Sequence, residues 1–402
     1  MAYFFSSVGH SKNINAHRAG QQAAQEALTG LHGKTANLVI VFSSVVFNQV
    51  AMLAGVRSVT GEVPLVGCSS AGEIITTGPS NKSVVVMLLA ADTVTFNIGA
   101  GLAIEKNAFL AGKQFAESLI QQTTQGKVAM VLPDGLKGDG ADIVRGVQTV
   151  FGTQFLMAGG AAGDDFLFKE TYQYFNQQVH SGAVVGTLMS GDVKFGIGVR
   201  HGWKPIGRLH RVTKVQGATI LEIDDQPAIN IYEELFGKQV VDITTSPFAR
   251  IAITYPLGIK VNDTAQEYLL RAPFSVDNKG AITCAATVPK QAEIRLMIGG
   301  KDEAIAAARL AAQQCLVGIQ QRGGKKITTA IIFNCIARNK VLAQDAKVEI
   351  AAIREVLGRD VQMIGFYTYG EQAPIDFCDE QQSLARHSEF CNETVVILGF
   401  GE

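Results

Sequence analysis

Two serines, a cysteine and a glutamate stand among two glycines in VGCSSAGEI, residues Val66 to Ile74, at the end of an apolar run. A nucleophile elbow requires Gly-x-Ser-x-Gly, with the serine on a strained turn from strand to helix. Here the order is Gly67-Cys68-Ser69-Ser70-Ala71-Gly72, and neither serine has glycines two residues before and after it. A polar Gly-Pro-Ser-Asn segment and another strand pattern follow instead of a helix. Hydrolysis by Ser69, Ser70 or Cys68 is therefore the minor reading. The simpler one is geometric. Glycine permits positive φ and close backbone approach, and small neighbours leave backbone N–H groups able to hold a carboxylate or phosphate. A plain turn is the competing explanation.

The motif recurs as GGAAGDD (159–165) and GFYTYGE (365–371). With Gly67, Ser69, Ser70, Gly72 and Gly163 as the turn-forming candidates, the acids Glu73, Asp164, Asp165 and Glu371 either accept a ligand's amino group or cap backbone donors of the turn. Tyr367 and Tyr369 alternate around Thr368, so on a strand both point to one face. They line an apolar pocket with polar tips or pack in a core. Asn334 and Arg338 fall just beyond the run AIIF (330–333), at the edge where parallel sheets bind ligands. The fork of Arg338 matches a carboxylate bidentately. Arg200-His201-Gly202-Trp203 follows the run VKFGIGV and holds the single tryptophan. Its histidine is either hydrogen-bonded at a strand end or a functional group. Cys378, His387 and Cys391 offer three metal ligands, but their spacing matches no standard zinc pattern and no fourth ligand stands out.

The elements that would position these residues repeat along the chain. Gly9, Gly99 and Gly299 each end an apolar run and precede an alanine-rich helical stretch, near 12–29, 103–122 and 301–320. A Gly-Lys pair, an apolar run, a second helical segment, the glycine-acid turn and a closing strand follow each time. The reading is an α/β fold with mixed sheets: three β-α-β-α-β-β units, with a strand-rich insert between the second and third, over about 190–292. The boundary sought near 230–240 divides the chain into 1–235 and 236–402. The three turns are expected at equivalent strand ends, at least two of them bordering one pocket.

Whole-chain properties exclude several classes. Lys plus Arg number 35 against 36 for Asp plus Glu, a net charge of −1 without a basic block, which argues against nucleic acid. The longest apolar run, Val84 to Ala91, is far shorter than a membrane helix requires, and MAYFFSSVGH lacks the pattern of a signal peptide. The expected location is the cytoplasm. Six cysteines without a C-x-x-C pair read as reduced core thiols.

The combination VGCSSAGEI, GGAAGDDF with GVRHGWKPIG, ILEIDDQPAINIY, and FNCIAR with GFYTYGEQAP and NETVVIL resembles the FIST family, over most of the chain from about residue 36. These are intracellular sensory domains with an N-terminal and a C-terminal part, found in prokaryotic signalling proteins and eukaryotic F-box proteins. The resemblance implies a small-ligand sensor without catalytic chemistry, of stand-alone form, passing its signal to a separate histidine kinase or chemoreceptor-type partner. Its ligand would be an amino-acid-like metabolite or haem, because amino acids have been proposed for the family and one bacterial branch binds haem and senses nitric oxide. With no C-x-x-C-H, haem would need an axial side chain in an apolar cavity. Of the seven histidines, His201 is then the first choice, with Trp203 as a wall.

Overall fold

Runs of β-branched and other apolar residues form the central strands. Leu38–Ser43 and Val84–Ala91 are buried at every position, as strands covered on both faces must be. The four helices on the first two sheets begin where a short polar side chain caps them. Asn15, Asn48, Asn107 and Asp139 accept backbone N–H bonds from Arg18, Ala51, Leu110 and Ala141. The computed structural model describes residues 3–237, 248–261, 268–378 and 384–402. Among these, no helix is long and apolar enough to cross a membrane.

Three six-stranded sheets share one strand order. The first runs Phe4–Ser11, Val84–Ala91, Leu38–Ser43, Leu65–Ser69, then the hairpin Gln173–Phe175/Gln178–His180. The second runs Val94–Leu102, Ala183–Gly191, Gly126–Pro133, Met157–Gly160, then the hairpin Glu371–Cys378/Leu384–Cys391. The third runs Lys194–Arg200, Val395–Gly401, Ile327–Cys335, Gln362–Thr368, then the hairpin Glu73–Ile75/Gly78–Ser80. In each sheet the third and fourth strands are parallel and the other pairs antiparallel. Each sheet is thus completed by a hairpin from another stretch of the chain, in cyclic exchange.

The inner faces of the three sheets meet in one apolar core, where Phe42 of the first sheet lies 4.5 Å from Phe366 of the third, centroid to centroid. The outer faces are covered by helices: Ala16–Gly30 and Gln49–Thr60 on the first, Ala108–Ile120 and Gly140–Phe151 on the second, Lys301–Gln321 and Ala346–Leu357 on the third. A fourth sheet, built from strands between Lys204 and Ile298, packs against this body.

The expected organisation needs three revisions. The opening strand of the third sheet is Lys194–Arg200, and the strand-rich segment lies between it and its helix Lys301–Gln321, not ahead of the whole unit. Gly299 instead ends a strand of the fourth sheet. The glycines that admit the alanine-rich helices are Gly9, Gly101 and Gly198, where a Cβ would lie 2.2, 1.9 and 1.8 Å from the carbonyl oxygens of Ala23, Ala111 and Ala311. Spacing alone selects the wrong glycine where a long insertion separates strand from helix. Finally, a short hairpin stands between each turn and its closing strand, so the units are longer than β-α-β-α-β-β.

Gly67, Gly159 and Gly365 hold equivalent places on the fourth strands. A Cβ there would sit 2.0, 1.8 and 2.2 Å from the carbonyl oxygens of Val41, Val131 and Ile332 on the neighbouring parallel strand. The nearest obstacle in each case is strand backbone, which has no flexible end to move aside. Gly159→Ala is expected to lower stability by about 1–3 kcal/mol, the range for overpacking a tight site. Thermal unfolding of the variant reads this directly, and an unchanged midpoint contradicts the close approach.

Candidate functional site

The three glycine-acid turns meet one another. Ala71 N–H donates to Tyr367 O (2.9 Å), Tyr369 N–H to Ala161 O (3.1 Å), and Gly163 N–H to Ser69 O (3.1 Å). Return bonds run from Tyr367 N–H to Gly72 O (2.7 Å), Ala161 N–H to Gly370 O (2.7 Å), and Ser69 N–H to Tyr172 O (2.8 Å). Six backbone bonds therefore close a ring through all three sheets. The N–H groups expected to hold a ligand are used by neighbouring turns. Gly72 takes φ 125°, a conformation that favours glycine. A Cβ on Gly163 would lie 2.5 Å from Ala71 N. Ser69 donates to Gly163 O (2.7 Å) and accepts from Tyr172 N–H (2.9 Å), while Ser70 donates to Glu73. None of these partners is a histidine, and burial pushes the Cys68 thiol well up.

Beside the ring, the position after the turn carries Glu73, Gln173 and Glu371. Glu73 accepts from the Ser70 hydroxyl and from Ser83 N–H (3.0 Å) and Oγ (2.6 Å). Glu371 accepts from the Thr368 hydroxyl and from Thr394 N–H (3.1 Å) and Oγ1 (2.7 Å). In the third instance the Gln173 carbonyl accepts from Ala183 N–H (3.0 Å). Asp164 and Asp165, expected as equivalents of Glu73 and Glu371, do other work. Asp164 collects the N–H groups of Phe168, Lys169 and Glu170 and the hydroxyl of Tyr369, and Asp165 accepts from Ser44 Oγ (2.6 Å).

Glu393 was not among the expected residues. It is fully buried at φ 58°, an uncommon conformation for a residue other than glycine, and neither carboxylate oxygen has a hydrogen-bond partner. Burial and the nearby charge of Glu371 push its pKa well above the ordinary range. Thr394, next to it in the chain, and Cys391 line a cavity of about 30 Å³ together with His201, Ile375 and the strand segment Tyr268–Leu270 of the fourth sheet, while Glu393 itself lies behind that lining. The turns line neither this cavity nor the cleft between the first and third sheets.

Asn334, Arg338 and Tyr367 belong to the helix-covered face of the third sheet. The Arg338 fork bonds Glu349 through Nε (3.0 Å) and Nη2 (2.5 Å), with further bonds to His201 O and Ala304 O (2.7 Å). Asn334 Nδ2 donates to the other Glu349 oxygen (2.6 Å). Both partners of this pair are fully buried, so the guanidinium expected to hold a ligand carboxylate already holds a protein one. The tyrosines do not share a pocket: Tyr367 packs in the core under the helices, while Tyr369 leaves the strand to reach Asp164 and stack on Phe168 at 5.0 Å.

His201 does not fit haem in this arrangement. Its Nδ1 accepts the Trp203 N–H (2.9 Å), which leaves the proton of the neutral ring on Nε2. An axial imidazole bound through Nε2 carries its proton on Nδ1 instead. Burial, with Arg338 and Arg200 adding to it, holds its pKa down at about 4, and the adjacent cavity is far too small for the macrocycle. Among the described residues, no group of three or more His, Cys, Asp or Glu is placed to hold a metal ion. The side chain of Cys378 lies outside the described residues.

Burial is the first cause that raises Glu73 and Glu371 to about 7, their hydroxyl and backbone bonds opposing it. Below the unfolded value of 4.5 both states are protonated and neither residue penalises the fold. As pH rises, the unfolded chain ionises first, so stability is lost between 4.5 and about 7, by about 3 kcal/mol for each residue. Denaturant unfolding across this window should therefore show falling stability. Glu73→Gln and Glu371→Gln, each introducing the residue already present at position 173, should flatten the slope. A parent slope that both variants leave unaltered contradicts this assignment.

A FIST N domain model matches residues 37–226 and a FIST C domain model residues 228–374. An uncharacterized protein of Methanocaldococcus jannaschii is 25% identical over 214 residues, which cover 48% of this chain and 41% of that one. An uncharacterized protein of Mycobacterium tuberculosis is 23% identical over 385 residues, covering 92% and 94%. Among solved structures, a chorismatase aligns over 100% of this chain and 99% of its own at 9% identity, with a TM-score of 0.36. The two matched domains together span most of the sequence, in the order its motifs gave: the chain belongs to the FIST family, a family of signal-transduction sensor domains.

Proposed function

We propose that this protein is a cytoplasmic sensor for a small amine-bearing metabolite of the amino-acid type, recognised through its ammonium group at Glu393. The observation that carries the reading is that carboxylate, fully buried, without a hydrogen-bond partner, and close enough to Glu371 for that residue to disfavour its charge. An uncompensated buried carboxylate is costly, and neutralisation by a proton or a cation relieves it. A ligand ammonium would supply the missing charge and donors, with the Thr394 hydroxyl alongside.

A cavity of about 30 Å³ holds a head group and little more. The remainder of the ligand would displace the Tyr268–Leu270 wall. That wall belongs to the fourth sheet, so binding would shift this sheet against the three-sheet body. The shift would be the signal, passed to a separate partner of the histidine kinase or chemoreceptor type. Haem sensing finds no support at His201, and hydrolysis finds none at Ser69 or Ser70, whose hydroxyls already serve internal acceptors.

Titration of the full chain with the proteinogenic amino acids and simple alkylamines, read by thermal shift and calorimetry, tests the reading. At least one amine should raise the unfolding midpoint saturably. Glu393→Gln, which replaces the ionisable carboxyl by an amide and should fold at least as stably, should weaken that ligand about tenfold or more, the equivalent of 1.4 kcal/mol. Undiminished binding in the variant, or no amine binding in the parent, overturns it.

A further inference from the structure

The strand Ile327–Cys335 reaches the turn ring at one end, where Cys335 pairs with Thr368, and at the other, roughly 25 Å away at about 3.3 Å per residue, a cleft opens. It has a volume of about 390 Å³, within the range of small-molecule sites, and it lies where the first and third sheets adjoin. Its wall on the first sheet is formed by Phe5, Ser7 and His32, and the opposite wall by Lys326, Asp360 and Gln362.

Local features keep these groups available. Gly30 ends the first helix, and a Cβ there would lie 2.1 Å from Ser7 Oγ, so glycine preserves the space of that hydroxyl. His32 adopts φ 52°, uncommon outside glycine, as it turns toward Phe5. Lys326 Nζ stands 3.6 Å from Asp360 Oδ2 at the rim, too loosely held to consume either group.

The lining defines a ligand class. Lys326 in the lining, and Lys34 Nζ 5.4 Å from the centre of the Phe5 ring, supply point charges for a carboxylate. Asp360, Gln362, Ser7 and His32 are hydrogen-bonding groups for hydroxyls, and the Phe5 ring offers an apolar face to the C–H side of a compact hydroxylated skeleton. A phosphate dianion would meet the charge of Asp360 more strongly than a carboxylate monoanion does, and a neutral sugar would gain nothing from the charge of Lys326. We propose that the cleft between the first and third sheets is a second binding site, for a small hydroxylated carboxylate of the sugar-acid class. The site is independent of Glu393.

Ligand-observed NMR and calorimetry on the full chain, with glucuronate and gluconate as probes and glucose and inorganic phosphate as comparators, test this. At least one acid should bind saturably and about tenfold more tightly than either comparator. Lys326→Gln, an exposed substitution that should leave the unfolding midpoint unchanged, should weaken the acid about tenfold, and Glu393→Gln should leave it intact. The proposal fails if neither acid saturates below about 10 mM, if phosphate or glucose binds equally well, or if Lys326→Gln binds normally. Loss in Glu393→Gln but not in Lys326→Gln would move the acid to the Glu393 site and equally overturn it.

Discussion

Everything at the functional end of the molecule depends on six backbone hydrogen bonds, five joining the turns at 69–72, 161–163 and 367–370 to one another and the sixth running from Ser69 to Tyr172. Each turn satisfies its donors on another turn, so none of the three sheets can present its strand ends alone. The hairpin after each turn then has no course except onto the neighbouring sheet, and the cyclic exchange of hairpins follows. Buried N–H and C=O groups must be paired, and here pairing is achieved between segments some 90 to 300 residues apart. A chain closed in this way contributes side chains from distant segments to one small volume.

The same closure explains why carboxylates are buried there. Glu73 and Glu371 begin hairpin strands that enter the interior, and each is met by a hydroxyl from its own turn and by a hydroxyl and an N–H at the start of its closing strand. These bonds favour the charged form while burial opposes it, and burial is the larger influence. Gln173 fills the third equivalent position without a charge. The interior therefore tolerates an amide here, and the two carboxylates are not required by packing alone. Glu393 differs from both: among the described residues no donor reaches either of its carboxylate oxygens, and the charge of Arg338 offsets its burial only in part.

Much of this was legible in the sequence. Apolar runs bounded by turn signals give the buried strands, alanine-rich stretches give the covering helices, and the three glycine-acid motifs mark the turns that meet. What was hidden depends on contacts between distant segments. Gln173 escapes because loop 164–172 separates it from its turn, so the aligned acids are Asp164 and Asp165, which instead cap that loop and brace Ser44. Arg338 has the chemistry to bind a ligand carboxylate, but only the fold reveals that Glu349 reaches it first. Glu393 lies in an unremarkable Asn-Glu-Thr before the last strand, and no local pattern announces a carboxylate left unpaired in three dimensions.

The state of Glu393 is the centre of the account. Carbon-13 NMR of glutamate side-chain carboxyls, assigned by comparison with Glu393→Gln and followed against pH, measures it directly. The account predicts that the Glu393 carboxyl of the free protein titrates well above the ordinary 4.5 and becomes ionised at neutral pH when an amine ligand binds. A Glu393 carboxyl that titrates near 4.5 in the free protein would contradict it.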